Sequence, residues 1–178
     1  YAGWVQYEHD NNALTFGANE NERLRLASDG TFTNSGSSSA PTSGSGWGFT
    51  TDQLYLSTAG TSANYALRFY NDNGLVGSVL VNGSGVTYNT SSDYRLKENE
   101  VTISDAISKV KQLKPYTFNF KADSNTTIDG FFAHEAQEVV PYAVTGEKDA
   151  EEMQAMDYGK LTPLLTAALQ EAISEIET

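Results

Sequence analysis

The sequence predicts a β-rich half of short, intertwined strands, followed by an α+β domain that closes with a coiled-coil-like helix. Apolar residues alternate in the first half and follow helical spacing in the second. The composition changes at the same place: residues 1–91 hold 12 of the 15 glycines and no lysine, whereas residues 92–178 hold eight basic and 16 acidic residues. The chain therefore divides into two predicted domains, 1–91 and 92–178.

Six apolar pairs at a spacing of two residues predict the strands of the first domain. The pairs are Leu14/Phe16, Leu24/Leu26, Leu54/Leu56, Leu67/Phe69, Val79/Val81 and Val86/Tyr88. A glycine directly after Asp29, Asn73 and Asn82 marks three hairpin turns. Residues 33–48 have linker composition with Trp47 as the one large apolar side chain, and we expect a long loop or a meandering surface strand there.

Large apolar side chains are too few in residues 1–91 for a stable monomer. Ordering each residue costs about 1 to 2 kcal/mol of backbone entropy, which the burial of apolar surface has to offset. An elongated homo-oligomer, in which strands of neighbouring chains cover one another, would supply the missing core. A small and weakly stable β-sandwich is the alternative that the composition leaves open.

The second domain begins with a polar run at 91–100. After it, Ser104 and Asp105 are placed to cap a helix that ends at Lys114-Pro115. The alternation of aromatic residues at 116–120 then predicts a strand. We expect a turn at Asp123-Ser124-Asn125 that leads into a second extended segment around residues 130–133.

Two helices are expected in the remainder of the second domain. The first runs from His134 to Val140 and stops at Pro141. The second runs from about Tyr158 to Ile176, and apolar side chains recur along it at alternating four- and three-residue steps, the spacing of a coiled-coil seam of about two heptads. The seam residues are Leu165, Leu169, Ala172 and Ile176.

Charge and composition exclude several classes of function. The formal net charge is −12, and phosphate binding needs a basic stripe that this sequence lacks, so we expect neither nucleic acid nor an anionic membrane as a partner. No apolar run approaches the roughly 20 residues of a membrane-spanning helix, so we expect no membrane insertion. With no cysteine and two histidines in the chain, we expect no metal and no cofactor.

His134 and the first residue of the chain each carry a further expectation. His134 stands beside Glu135 and Glu138, and we expect it to be a solvated or hydrogen-bonded helix residue. The chain starts at Tyr1 with neither an initiator methionine nor a signal peptide, so we expect it to be the C-terminal piece of a longer protein.

Four ordered blocks span about 85 residues of the second half. They are SDYRLKEN at 92–99, the segment from Ile107 to Phe118, GFFAHEAQEVVP at 130–141, and the segment from Tyr158 to Glu171. Together they resemble the C-terminal intramolecular chaperone of phage tailspikes and tail fibres, a family described best for endosialidase tailspikes. The sequence departs from the family at His134, where members commonly carry glutamine. Short motifs at 22–30 and 77–92 also resemble phage fibre sequence.

The resemblance implies a fold, a reaction and a location. Residues 1–91 would form an intertwined fibre shaft or tip, and residues 92–178 would drive assembly of a homotrimer and then be released. The chain would cut itself between Ser91 and Ser92, with Ser92 as nucleophile, Lys97 as its base, and Asp93 and Arg95 as supporting residues. The protein would belong to the virion tail, and it would be assembled in the host cytoplasm with itself as partner.

The implied reaction places a demand on the lysine. A serine hydroxyl is a poor nucleophile unless a base accepts its proton, and serine–lysine pairs are one solution. At pH 7 fewer than about one ordinary lysine in a thousand is neutral, so Lys97 has to be desolvated or lie near another cation such as Arg95. Both an acyl shift followed by hydrolysis and direct attack by an activated water would leave Ser92 as a new N-terminus.

Two other functions compete with self-cleavage. In the first, residues 1–91 bind a host-surface glycan or receptor and the second domain is a trimerisation cap that does not cut. The sugar-stacking side chains would be Trp4, Tyr7, Trp47, Tyr55 and Tyr65. In the second, a polysaccharide-degrading tailspike would need carboxylates in a cleft. Candidates are Glu8, Asp10, Glu20 and Glu22, but the segment is too short and repetitive to form a cleft by itself.

Overall fold

A computed structural model describes residues 3–34 and 45–177 of the chain. The protein forms two compact units, and the boundary between them falls between Glu98 and Asn99. The predicted boundary at residue 92 separates two functions and not two compact units, and it stays a prediction.

The first unit opens with an antiparallel sheet whose strands lie in the order of the sequence. Each strand pairs with the next along the chain, so the sheet is a simple meander. Gly30, with φ +85°, completes the turn between the third and fourth strands. The six strands are β1 (Trp4–Glu8), β2 (Ala13–Ala18), β3 (Asn21–Leu26), β4 (Phe32–Thr33), β5 (Gly46–Phe49) and β6 (Leu54–Ser57).

A second antiparallel sheet of three strands completes the first unit. Its strands are β7 (Asn64–Asn71), β8 (Gly74–Asn82) and β9 (Gly85–Thr90). Gly74, the first residue of β8, and Gly83, in the turn between β8 and β9, adopt positive φ angles. All six predicted apolar pairs lie on strands of the two sheets, and the three predicted hairpin turns are confirmed.

The expectation of a loop or surface strand at 33–48 needs correction at its ends. Thr33 ends β4 and residues 46–48 belong to β5. Trp47 is half-buried because its ring meets the edges of Phe32 and Phe49, with ring centroids 5.3 and 5.7 Å away. Strand β5 has a glycine on each side of Trp47, and this composition is typical of a linker, so the sequence did not indicate a strand. Residues 35–44 lie outside the described part of the chain.

Polar groups occupy most of the interior of the first unit. Among the described residues up to Glu98, Ala13 is the one apolar side chain that is buried; the buried polar residues are Thr15, Arg25, Thr31, Thr33 and Ser78. Large apolar side chains lie exposed instead, including Phe69, Tyr70, Val86 and Tyr88. The shortage of apolar core predicted for this half is therefore present in the folded chain.

Arg25 takes the place of an apolar core on one face of the first sheet. It stands in register with Thr15 and Thr33 on the flanking strands, and all three are buried. Its guanidinium binds Glu8 at 3.1 Å and Glu22 at 2.5 Å. The hydrogen bond and charge of Glu22, with those of Glu8, raise the pKa of Arg25. The methylene stem of such an arginine can cover apolar surface while its head stays paired.

The second unit is the predicted α+β fold. Its elements are α1 (Ala106–Val110), β10 (Tyr116–Phe120), β11 (Asp123–Gly130), α2 (Ala133–Val139), β12 (Val144–Thr145), β13 (Ala155–Met156) and α3 (Thr162–Ile176). A 3-10 turn at Tyr158–Leu161 leads directly into α3, so the last helical run has the predicted extent. The helices and the loop after α2 enclose a small apolar core made of Ala106, Leu113, Ala136, Val140, Ala143, Leu161 and Leu164.

Three predictions for this unit are wrong in detail. Helix α1 ends at Val110, and Asp105 adopts a left-handed conformation with no side-chain cap. The cap comes from α3, where the carboxylate of Glu171 accepts the N–H groups of Ala106 and Ile107 at 3.0 and 2.9 Å. Residues 123–125 lie within β11, which starts directly after Lys121 and Ala122.

None of the helices in the described part of the chain is long and apolar enough to cross a membrane.

Candidate functional site

The predicted cleavage point follows directly on the last strand of the three-stranded sheet. Strand β9 ends at Thr90, and the N–H of Ser91 still donates to the carbonyl of Val76 on β8 at 3.0 Å. Ser92 comes next and is exposed. The residue before the predicted scissile bond is thus held by the sheet, while the residue after it is free of strand pairing.

A single 3-10 turn, Tyr94–Leu96, follows Ser92. Asp93 caps it, because its side chain accepts the N–H of Arg95 at 2.9 Å. The turn is closed by Leu96 donating to the carbonyl of Asp93 and by Lys97 donating to the carbonyl of Tyr94. The chain therefore reverses between residues 92 and 97.

This reversal brings Ser92 and Lys97 together. The Nζ of Lys97 donates to the Oγ of Ser92 at 2.8 Å. A base has to lie within hydrogen-bond reach of the proton that it removes, and this distance meets that requirement. Both residues are exposed in the single chain, so the residues around them do not supply the burial that a lysine base requires.

Arg95 is paired with Asp93. Its Nε and Nη2 donate to the two carboxylate oxygens at 2.9 and 2.7 Å, in the bidentate geometry typical of arginine and carboxylate. The hydrogen bond from the Arg95 side chain, then that from its N–H, and the charge of Lys97 lower the pKa of Asp93. The same ion pair raises the pKa of Arg95. Its charge is therefore directed at a carboxylate in this chain.

An open cavity of about 230 Å³ borders the same place. Liquid water occupies about 30 Å³ per molecule, so the cavity has room for several waters beside Ser91. The lining residues are Tyr65, Leu75, Val76, Gly77, Ser78, Asn89, Thr90 and Ser91.

The predicted seam lies on the outer face of α3. Leu165, Leu169 and Ile176 are 47%, 62% and 84% exposed, and Ala172 is half-buried. Leu164, on a different face of the helix, is buried in the core. Ile173 is also exposed and was missed, although the hydrophobic spacing of three or four residues from Leu169 could have found it. The helix thus has one apolar face packed and a second one open.

The other candidate residues are engaged within the chain. The ring of Trp4 lies over Gly17, Trp47 packs between Phe32 and Phe49, and the Arg68 guanidinium lies 3.9 Å from the Tyr65 ring centre. The hydroxyls of Tyr7 and Tyr55 bind Asn12 and Gln53.

The candidate carboxylates do not gather in a cleft. Glu8 and Glu22 meet at Arg25, whereas Asp10 and Glu20 lie exposed at or near hairpin turns. His134 lies on α2 with its ring stacked 6.0 Å from that of Phe132. Among the residues that the structure describes, no group of three or more His, Asp or Glu side chains is arranged to hold a metal ion.

Comparison with known families covers part of the C-terminal half. The resemblance inferred from the sequence, to the intramolecular chaperone domain of phage tail proteins, is confirmed there, and the matching family is one of self-cleaving domains. The match is to the family Peptidase_S74, chaperone of endosialidase, over residues 92–145. It begins at Ser92 and ends before α3. No curated protein and no solved structure gives a significant match to the chain.

Proposed function

We propose that this chain is the C-terminal part of a phage tail fibre or tailspike that assembles as a homotrimer and cuts itself between Ser91 and Ser92. Residues 92–178 drive trimerisation and folding of residues 1–91, and the cut then releases them. The observation that carries the proposal is the 2.8 Å contact between Lys97 Nζ and Ser92 Oγ, at the first residue of the family match.

The cut can proceed through the serine itself. The Oγ of Ser92 attacks the carbonyl carbon of Ser91 as its proton passes to a neutral Lys97 Nζ, and the protonated Lys97 gives that proton to the departing Ser92 nitrogen. The C–N bond between the two serines breaks and an ester remains. Water then hydrolyses the ester, leaving a carboxylate on Ser91 and a free amine on Ser92. Direct attack by a water that Lys97 deprotonates gives the same products, because the attacked carbonyl is the same.

Assembly controls the timing in this proposal. Lys97 is exposed in the single chain, so the described residues around it leave its amine in contact with water. Packing of neighbouring chains around residues 92–97 removes water from the lysine and favours its neutral form. The cut therefore waits until the fibre is formed.

Two features of the fold support a trimer. The first unit buries little apolar surface among its described residues, and the outer face of α3 leaves leucine and isoleucine side chains exposed. Both surfaces need a partner, and identical chains are the partners always present. The three-fold symmetry itself is inferred from the family. The net charge of −12 helps to keep unassembled chains in solution.

The upstream half would then serve the virion as a shaft or tip. We propose that it stands in the virion tail, is assembled in the host cytoplasm and binds a host-surface glycan or receptor. Tyr7 is 49% exposed beside His9, next to an open cavity of about 460 Å³ lined by residues 6–11. Aromatic, amide and carboxylate groups together suit a sugar. Binding to a panel of bacterial surface polysaccharides should weaken in Tyr7→Ala, and equal binding by that variant would contradict this assignment.

N-terminal sequencing and intact mass after denaturing electrophoresis test the cut. Wild type should give two fragments, the shorter one starting at Ser92. Ser92→Ala and Lys97→Ala should stay in one piece while still forming trimers, whereas the matched controls Ser91→Ala and Lys111→Ala should be cut. Cutting of folded Lys97→Ala at the wild-type rate would show that another group is the base. A wild-type trimer that is never cut would support the alternative in which residues 92–178 are a trimerisation cap.

A further inference from the structure

One residue supplies all three N–H groups that bind the Asp93 carboxylate. Arg95 donates its backbone N–H and its Nε–H to Oδ1, both at 2.9 Å, and its Nη2–H to Oδ2 at 2.7 Å. Asp93 and Arg95 are two residues apart in sequence, and the hydrogen bonds between them form a ring at the start of the 3-10 turn. We call this pair the Asp93–Arg95 clasp.

Packing does not hold the turn in place. Tyr94 is 81% exposed and Leu96 is 65% exposed, and the turn has no buried residue. Its backbone is closed by two hydrogen bonds, and Lys97 leaves it in an extended conformation. A solvent-exposed 3-10 turn of three residues is short of stabilising contacts. The clasp is therefore the main side-chain interaction that fixes the path from Ser92 to Lys97.

We propose that the Asp93–Arg95 clasp is a positioning device that holds Lys97 against Ser92. The inference rests on the proposed self-cleavage and adds how its reacting groups are aligned. All the contacts involved lie within residues 92–97, so each chain forms the pair for itself. Assembly of the chains then only has to exclude water from Lys97, because the contact between Ser92 and Lys97 is already formed within each chain.

A second role for Arg95, as the cation that drives the proton off Lys97, fits the geometry less well. Its guanidinium is bound by the Asp93 carboxylate through two hydrogen bonds. A neutralised charge has little effect on a neighbouring ammonium. An exposed ion pair also contributes little to overall stability, so loss of the clasp should change the cut and leave assembly unchanged.

The rate of cutting in assembled trimers tests the clasp. Arg95→Ala and Asp93→Ala should each slow the cut by about 10- to 100-fold, the range expected when reacting groups are misplaced by about 1 Å. The double variant should be no slower than the slower single variant, because either change already opens the clasp. Arg95→Lys should recover only part of the rate, since an ammonium does not bind a carboxylate through two parallel bonds. The exposed pair Lys148 and Asp149 gives matched control variants with alanine, which should cut at the wild-type rate.

Chain concentration separates positioning from assembly. A seam variant such as Leu169→Ala should cut slowly at low concentration and approach the wild-type rate when concentration restores the trimer. Clasp variants should stay slow at every concentration, with normal trimer content on native electrophoresis. Wild-type rates in assembled clasp variants would overturn the inference alone, and so would clasp variants that fail to assemble. Loss of dependence on Ser92 or Lys97 would overturn the proposed self-cleavage, and the clasp with it.

Discussion

One packing contact in the first sheet is possible only because residue 17 is a glycine. Trp4 and Gly17 face each other across β1 and β2, and the indole ring lies where a side chain at residue 17 would stand. A Cβ placed on Gly17 would be 2.0 Å from the ring carbon Cε2 of Trp4. The ring covers backbone that would otherwise face water, and it can do so only because Gly17 has no side chain.

Gly17→Ala should therefore push Trp4 off the sheet. Overpacking of this kind costs about 1 to 3 kcal/mol, so we expect a lower unfolding midpoint together with a red shift of Trp4 fluorescence, read in a Trp47→Phe background. Gly85→Ala is the matched control, because the nearest atom there is the flexible Asn82 side chain at 3.2 Å. An unchanged emission maximum in Gly17→Ala would contradict the assigned contact.

Single-residue roles at the proposed cleavage point could be inferred only in part from the sequence. Five residues of spacing permit Ser92 and Lys97 to meet across a turn, and the family resemblance selected them. Sequence spacing alone does not identify the partner of Arg95, because Arg95 is two residues from both Asp93 and Lys97. It could pair with the carboxylate of Asp93 or act as a cation beside Lys97, and the structure shows the pair with Asp93.

Among the elements, the strands were the most predictable and the helix ends the least. Apolar residues that recur at every second position indicate a strand from neighbouring residues alone, and all six predicted pairs lie on strands. Helix α1 depends on Glu171, which is 65 residues from Ala106, and sequence windows cannot detect a cap at that distance. The two-residue strands β12 and β13 are too short to carry a period at all.

Acid should loosen the contact between α1 and α3. Hydrogen bonds from the N–H groups of Ala106 and then Ile107 lower the pKa of Glu171. A depressed folded-state pKa means that the stabilisation is present above the unfolded value of about 4.3 and is lost as the pH falls through the folded value. Hydrogen exchange of the Ala106 and Ile107 amides should therefore speed up below about pH 4, beyond the ordinary effect of pH on exchange.

The variant Glu171→Ala should show fast exchange at those two amides already at pH 7. Glu152→Gln changes an exposed carboxylate elsewhere and should leave their exchange as in wild type. If the protection of the two amides in wild type were the same at pH 3 and pH 7, the cap would not depend on the charge of Glu171.

The outer face of α3 should control assembly while the inner face controls folding. Leu169→Asp places a charge on the exposed seam, and we expect loss of trimer and of cutting with the secondary structure retained. Leu164→Ala empties a position that is 2% exposed, and we expect it to destabilise the second unit by about 2 to 5 kcal/mol. Light scattering and circular dichroism separate the two effects. Gln170→Asp, exposed on the same helix, is the control, and a Leu169→Asp trimer of normal stability would disprove the seam.

At the scale of the whole molecule, the two units differ in what they can do alone. The second unit encloses an apolar core of seven buried residues, whereas the described part of the first unit buries Ala13 and polar groups. Strands that need neighbouring chains gain stability only after distant contacts form, so they fold slowly without help. A domain that associates first raises their local concentration.

Deleting residues 92–178 before folding should leave residues 1–91 insoluble or unassembled. Expression of the truncated gene, with sedimentation and light scattering of the soluble fraction, measures this outcome. The full-length Ser92→Ala chain is the control, because it keeps the chaperone attached. Native, soluble trimers from the truncated gene would refute a chaperone role for the second half.

The hydrogen bond between the N–H of Ser91 and the carbonyl of Val76 has a consequence for the upstream product of the proposed cut. A chain cut after Ser91 ends at a residue that is already pinned to its sheet, with no loose tail beyond it. Carboxypeptidases need free, extended C-terminal residues that can enter the active site. If the proposed cut takes place, its upstream product, ending at Ser91, should therefore keep its last residues in the presence of carboxypeptidases.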